Sequence, residues 1–329
     1  MPSRSAATTV PATMKAVAID RYGPARVLQL HELDTPEPEP HQILIQTHTA
    51  GIGSWDAEMR GGSWKPPGRP RFPRVLGLDG SGVVVAKGAR VKRFRLGDRV
   101  WAYDYEHAGF YAQYVAVNAT LAARVPDRLS LREAGAAAVT GLTALQCVAK
   151  ADVRRGQNVL VYGATGGLGT LALQFAAARG ARVIATATGR KATDLVRRLG
   201  AKVAIDARRN DAADRLDSAA PDGVDVVLAF VGGRGLERLL ERVRRGGCVA
   251  YPNGVDPEPQ APDGVRVKSF DAAAGPDEFA QLSRAVTSAK LEVPIDRQYP
   301  LARAADAHRR VEQEHVLGRI VLAVQRADD

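Results

Sequence analysis

The sequence predicts an α/β fold in two domains, a small β-barrel or sandwich joined to a doubly wound parallel sheet. Three observations point there. Short alternating apolar runs, broken by Gly and Pro, fill the stretch from Met14 to about Arg124. Beyond it, strand-like runs alternate with helical segments, the pattern of parallel strands joined by crossover helices. Between the first of those runs and its helix lies a glycine-rich turn, Tyr162-Gly163-Ala164-Thr165-Gly166-Gly167-Leu168-Gly169-Thr170. A length of 329 residues favours two domains, and 45% apolar content suffices for sizeable cores.

In order along the chain, Met1 to Thr13 is small, polar and proline-punctuated, and reads as a flexible lead-in rather than a targeting element. Strands are expected at Met14 to Ile19, Val27 to Leu33, Gln42 to Thr49, Gly82 to Lys87, Arg99 to Tyr103 and Ala112 to Val117. Pro126 opens a transition, and the alanine-rich run Leu131 to Ala149 is helical. Six more strands follow at Val159 to Tyr162, Arg182 to Ala187, Lys202 to Ile205, Val224 to Phe230, Gly247 to Tyr251 and Val265 to Phe270, with helices separating the first five. Six strands complete a doubly wound sheet, so the last helix, Ala302 to Glu314, and the last strand, Arg319 to Val324, are expected to return to the first domain. The proline-rich stretches Asp34 to Pro40 and Pro252 to Pro262 read as exposed loops.

Composition excludes several classes. No run approaches the roughly 18 apolar residues of a membrane span, and no apolar signal core opens the chain, so a cytoplasmic protein is expected. Only Cys147 and Cys248 are present, which leaves neither a disulfide framework nor a cysteine cluster for structural zinc; both read as buried thiols. The net charge of +10 raises nucleic acid as a partner. The basic residues are nonetheless scattered and mostly arginine, with no interleaved aromatics for base stacking, so nucleic acid is disfavoured and the charge reads as bias plus attraction for an anionic cofactor.

The glycine turn carries the functional signal. It follows Asn158-Val159-Leu160-Val161 and opens the helical run Leu171-Ala172-Leu173-Gln174-Phe175, giving strand, turn and helix. Such a turn lets backbone approach a pyrophosphate and points helix N-terminal N–H groups at it. In the G-x-G-x-x-G spacing the first position is Ala164, and the others are Gly166 and Gly169. About 20 residues on, where an NAD site places an acidic residue for the ribose 2′-OH, the chain reads Thr188-Gly189-Arg190-Lys191. A carboxylate there would repel a 2′-phosphate, whereas a hydroxyl, Arg and Lys can bind it, so NADPH is the expected cofactor.

Met14-Lys15-Ala16-Val17, Ala50-Gly51-Ile52-Gly53-Ser54-Trp55-Asp56, Gly77-Leu78-Asp79-Gly80-Ser81-Gly82-Val83-Val84, Gly97-Asp98-Arg99-Val100, Thr140-Gly141-Leu142-Thr143-Ala144, the glycine turn and His315-Val316-Leu317-Gly318-Arg319-Ile320-Val321-Leu322 resemble the medium-chain dehydrogenase/reductase superfamily. The similarity runs from Met14 to Val324 and leans to the zinc-independent quinone oxidoreductase branch, which is zeta-crystallin-like. The resemblance implies a GroES-like β-barrel catalytic domain at 14–130 and 290–329 and a Rossmann NADP-binding domain at 131–289, with nicotinamide in the cleft between them. It also implies a homodimer, or a tetramer, built through the Rossmann sheet edge. Zinc alcohol dehydrogenases resemble the chain but carry Cys where Gly53 stands and His-Glu where Leu78-Asp79 stands; neither Gly53 nor Leu78 has a donor atom, so no metal is expected.

The chemistry implied is hydride delivery from NADPH to an acceptor already activated, a quinone or an α,β-unsaturated carbonyl. Reductases of this family often show N-x-x-D-x-Y around the conserved Asp; Gly53 and Glu58 stand here instead, which counts against the alternative of an enoyl-thioester or polyketide-type enoyl reductase. A non-catalytic NADPH-binding sensor or nucleic-acid binder is the alternative from another class. Glu58, Tyr103, Tyr105 and His107 are candidate proton donors, Trp55 and Asp56 candidate substrate-lining residues, with Asp56 also a structural acceptor. For the cofactor, Gly163, Ala164, Thr165, Gly166, Gly167 and Leu168 are assigned to the pyrophosphate turn, Thr188, Gly189, Arg190 and Lys191 to the adenosine phosphate, and Thr140 to the nicotinamide. Val231-Gly232 and Asn253-Gly254 are expected at carboxyl ends of strands, where ligands sit in such sheets. The tyrosine that the family often places over adenine is Ala207 here.

Overall fold

A computed structural model describes residues 10–64, 71–106, 109–313 and 316–325. The chain divides into one unit of Met1–Ala138, Arg297–Glu312 and Ile320–Asp329, and a second of Val139–Asp296 and Gln313–Arg319.

The first unit opens with β1 (Thr13–Ile19), β2 (Leu28–Asp34), β3 (Gln42–Ile52), α1 (Ser54–Gly61), β4 (Arg74–Val75), β5 (Asp79–Lys87), β6 (Arg99–Tyr103), β7 (Tyr114–Asn118) and β8 (Ala122–Arg124). β1 pairs antiparallel with β2 and β4 in a three-stranded sheet. The predicted tail extends too far: Ala12 O accepts from Thr35 N–H at 2.8 Å, Thr13 begins β1, and Val10 packs against a cluster containing Met14, Ala16 and Leu44. Residues 1–9 lie outside the described set. β3 is the longest strand and the hub, pairing with β5 and β7; the register slips between Leu44/Ile45 and Thr47/Thr49 on its β5 side. Such bulges bend a strand, letting it serve more than one neighbour.

α2 (Leu131–Lys150) leads to the second unit, and the division of the chain falls inside this helix rather than at its start. There follow β9 (Asn158–Tyr162), α3 (Gly167–Ala178), β10 (Arg182–Thr186), α4 (Gly189–Arg198), β11 (Val203–Ile205), α5 (Ala212–Ala219), β12 (Val224–Ala229), α6 (Arg234–Leu240), β13 (Val243–Pro252), β14 (Arg266–Phe270) and α7 (Pro276–Ser288). The sheet order is β11-β10-β9-β12-β13-β14, and every pairing is parallel. Strands covered on both faces need apolar residues throughout. Val159-Leu160-Val161, Val183-Ile184-Ala185 and Val226 to Ala229 are accordingly all buried. α3 buries Gly169 to Ala176 without interruption, whereas α4 buries only Ala192 and Val196, spaced four apart on one face.

β15 (Ile295–Pro300), α8 (Ala304–Val311) and β16 (Arg319–Ala323) close the chain. β16 pairs antiparallel with β3, Ile320 opposite Ile52 and Leu322 opposite Ala50, so the last strand does return to the first sheet. β15, with its polar sequence Ile-Asp-Arg-Gln-Tyr-Pro, had no apolar pattern to announce it.

Candidate functional site

Strand order reverses between β9 and β12, and a parallel sheet opens its ligand crevice at that place, beyond the carboxyl ends of the strands. A cleft of about 470 Å³ lies there, lined by Tyr162, Gly163, Thr165 and Gly166 after β9, Thr186 to Thr188 after β10, Ala207 and Arg208 after β11, and Val231 and Gly232 after β12. Gln313, Val316 and Leu317 form a further wall. That wall is tied to the turn: Gly318 N–H donates to Thr165 O at 2.7 Å, and Gly318 makes a parallel bridge to Gly166.

The turn is built around two glycine requirements. Gly163 has φ +78°, the left-handed region, and its N–H donates to the Thr186 hydroxyl at 3.0 Å. A Cβ on Gly169 would stand 2.1 Å from Gly163 O and 2.6 Å from Ala164 Cα, so only glycine lets α3 start this close to the turn. Gly166, by contrast, has open space on its outer face; its nearest neighbour to an added Cβ is Gly163 O at 3.8 Å. The backbone there can be approached by a ligand, and the first-turn N–H groups of α3 at Gly167, Leu168 and Gly169 have no acceptor one turn back within the helix. The residues present therefore fit a pyrophosphate. Ala164 is fully buried beneath the turn, and Thr140, itself buried, lies with its Cγ2 3.6 Å from where a Gly167 Cβ would be.

The assigned adenosine-phosphate residues separate. Thr188 lines the cleft and donates its hydroxyl to Asp206 Oδ1 at 2.9 Å. Gly189, Arg190 and Lys191 start α4 and are absent from the lining; the Arg190 side chain is 95% exposed, with Nε 3.7 Å from Asp194 Oδ2. Asp206 also accepts Arg208 N–H at 3.1 Å. Burial raises its pKa, but the hydrogen bonds from Arg208 and Thr188 and the Arg208 charge outweigh that and hold the carboxyl below its usual range. Arg208 is the charged one among the lining residues that sequence reasoning missed, which also include Tyr162, Thr186, Ala192 and Gln313. Val231 and Gly232 line the cleft as expected of their strand end, while Asn253 and Gly254 are exposed after β13, with Asn253 Nδ2 donating to Asp271 at 2.9 Å.

The candidates for chemistry belong to the first unit. Asp56 is buried, and its Oδ2 accepts the Gly53 N–H at 2.7 Å, which caps the N-terminus of α1. A Cβ on Gly53 would lie 2.4 Å from the Trp55 indole, so the ring fills the space beside that residue. Glu58 is exposed on α1. Tyr103 and Tyr105 have ring centroids 6.4 Å apart, and the exposed Tyr105 donates to Glu106 at 3.1 Å. His107 lies outside the described residues. Among the described residues no three His, Cys, Asp or Glu side chains gather as a metal site, and no helix is long and apolar enough to cross a membrane. Cys147 and Cys248 are free and buried, and burial pushes both thiols up, so neither offers a thiolate.

Comparison with known proteins gives a concordant picture. Residues 39–127 match the alcohol dehydrogenase GroES-like domain, and residues 199–322 match the zinc-binding dehydrogenase family. The chain is 30% identical over 329 residues to the NADPH-dependent alkenal/one oxidoreductase of Arabidopsis thaliana chloroplasts, covering 97% of this chain and 81% of that protein. Among solved structures, an NAD-dependent alcohol dehydrogenase superposes with a TM-score of 0.88 at 30% identity, covering 95% of this chain and all of that one. Escherichia coli quinone oxidoreductase complexed with NADPH superposes with a TM-score of 0.85 at 25% identity, covering 94% and 100%. The names of these relatives differ in nicotinamide cofactor, NADPH for two and NAD for one, so that question turns on this chain's own residues.

Proposed function

Because the chain belongs to the medium-chain dehydrogenase/reductase superfamily, in its zeta-crystallin-like quinone oxidoreductase branch, we propose that it is an oxidoreductase that uses NADPH to reduce a quinone or an α,β-unsaturated carbonyl. The observation that carries this reading is the cleft at the switch point. It combines a glycine turn open to a pyrophosphate with the Thr188 hydroxyl after β10, where an NAD site would present a carboxylate, and with the Arg208 guanidinium after β11.

Bound NADPH supplies a hydride. An acceptor conjugated to a carbonyl takes up the resulting negative charge itself, so the protein's tasks are to orient, to exclude water and to supply a proton. Gly163 to Leu168 hold the pyrophosphate through backbone N–H groups, Thr188, Arg190 and Lys191 act on the adenosine phosphate, and Thr140 and Val231-Gly232 flank the remainder. Asn253-Gly254 extends that set after β13. Trp55 and Asp56 serve the substrate side, Asp56 by fixing the start of α1 and Trp55 by offering a flat apolar wall. Glu58, Tyr103 and Tyr105 are the proposed proton donors. At the two positions that hold zinc ligands in related alcohol dehydrogenases, Gly53 and Leu78 have no electron pair to give, which supports a metal-free reaction.

The exposed outer strand β14, with Val267 47% exposed, supports a homodimer formed edge to edge, and two free buried thiols support a reducing, cytoplasmic setting. NADPH consumption measured across quinones, enones, enoyl thioesters and alcohols tests the function. Turnover is expected with the first two; activity confined to alcohols would reject the reading.

A further inference from the structure

α1 buries three side chains, Asp56, Met59 and Arg60, and two of the three are charged. A helix that buries a single apolar side chain is located by its polar contacts, because apolar packing has no preferred direction of its own. The two charged residues stand four apart on one side of the helix, one serving each end. Asp56 holds the first turn through the Gly53 N–H. Arg60 holds the last. Its Nε donates to Gly23 O at 3.0 Å, while its own carbonyl accepts the Gly23 N–H at 3.0 Å. Its Nη1 donates to His308 Nδ1 at 3.1 Å, and its Nη2 donates to the Glu312 carboxylate. The acceptors thus come from the turn after β1, from α8 and from the residue that caps α8.

We propose that Arg60 is a positioning residue for the reduction: by gripping three acceptors it fixes the place and the rotation of α1, and so sets Trp55 and Glu58 toward the molecule being reduced. The proposal rests on the quinone or enone reading given above and on the substrate side assigned there to α1. Trp55 and Glu58 stand three residues apart, on a stripe of α1 beside the buried one, so a rotation of the helix would swing both. A buried guanidinium is a poor device for stability alone, since an apolar side chain of similar volume fills such a space without the desolvation cost. What the charge adds is direction. Its planar fork meets separate acceptors at fixed angles, which the single ammonium of lysine cannot reproduce. Misplacing a reacting group by about 1 Å can cost on the order of 100-fold in rate, so a small shift of α1 is enough to be seen.

The test compares wild type with Arg60→Lys, using 1,4-naphthoquinone and 2-cyclohexen-1-one as acceptors in steady-state kinetics and calorimetry for NADPH. Arg60→Lys is expected to lower kcat/KM for both acceptors by roughly 10- to 100-fold while the NADPH Kd stays within about twofold. A role confined to holding the fold together would leave the kinetics of the folded variant alone and lower only its Tm. Because Arg60 is argued to act through its helix neighbours, the same substitution is also made in Trp55→Ala and Glu58→Gln backgrounds. In at least one of them its cost is expected to shrink by about threefold or more, a failure of additivity between side chains. Should Arg60→Lys not fold, Glu312→Ala takes its place, since that carboxylate is 41% exposed and removes one acceptor only; the same split is expected at roughly 3- to 10-fold. Unchanged acceptor kinetics, an equal loss of NADPH affinity, or full additivity in both backgrounds overturns the assignment and leaves the proposed function standing. A wild-type protein that reduces neither acceptor overturns the function itself, and the role of Arg60 with it.

Discussion

His308 on α8 is fully buried among polar partners drawn from distant parts of the first unit. Arg60 Nη1 lies 3.1 Å from its Nδ1 and Tyr111 Oη 3.0 Å from its Nε2. A guanidinium can only donate, so Nδ1 is the bare acceptor and Nε2–H donates to Tyr111. A second proton would have to enter between Nδ1 and a cation. Burial, then the Arg60 charge, lowers the pKa from 6.5 to about 3. The folded protein therefore refuses a proton that the unfolded chain accepts once the pH drops below about 6.5. The stabilisation from neutral His308 is complete above that pH and is lost progressively toward pH 3. The slope is at most about 1.4 kcal/mol per pH unit and the full loss roughly 5 kcal/mol, a large part of an ordinary domain's stability. Urea denaturation at pH 7.0, 6.0 and 5.0 with wild type and His308→Gln isolates the term, because glutamine preserves one acceptor and one donor but does not titrate. Wild type is expected to lose about 1 to 2 kcal/mol more than the variant over that interval. Parallel pH dependences, or a folded-state His308 resonance titrating near pH 6.5, would refute the reasoning.

Three further outcomes follow from the same contacts. Gly169→Ala forces a Cβ to within 2.1 Å of Gly163 O, so the turn must open; a loss of roughly 1 to 3 kcal/mol in thermal stability and a marked loss of dinucleotide affinity are expected by melting and calorimetry. The Tyr103→Phe/Tyr105→Phe protein is expected to lose on the order of 100-fold in turnover, the lower range for removing a general acid, with cofactor affinity unchanged; full turnover would eliminate both phenols. Gly53→Cys places its Cβ 2.4 Å from the Trp55 ring and is expected to shift tryptophan emission without stoichiometric zinc in the purified protein, whereas unaltered emission would show that the ring does not guard that space.

Much of the second unit was legible because its strands must be apolar on both faces and its turn must be glycine; both leave marks in sequence. β13 nevertheless starts at Val243, four residues before the expected Gly247, because Val243 pairs with Val224 across a register shift that Gly246-Gly247 disguises as a loop. Arg208 was not legible. It follows a strand of only three residues, β11, and reaches the cleft because β11 lies two strands from β9 in the sheet, a relation no local periodicity records. The His308 network escaped for the same reason: its members stand 248 and 197 residues apart, on α8, on α1 and beside β7. Helix α1 was hidden in a motif, since eight residues between a long strand and a turn show too few periods to betray a helix.

The positions that hold zinc ligands in related alcohol dehydrogenases differ here by more than missing donor atoms. Gly53 sits at the cap of α1, its N–H held by Asp56, with the Trp55 indole against its Cα. A side chain introduced at 53 would therefore have to move the ring before it could face a metal. Leu78, the second position, is buried, and Asp79 beside it is buried as well. Restoring a donor at 53 alone adds one ligand at the cost of a packed aromatic, and restoring one at 78 places a polar group where water cannot reach it. On the metal-free reading proposed above, packing around α1 and β5 would keep a metal out, and the same ring that closes position 53 would be the flat apolar surface for a planar conjugated acceptor.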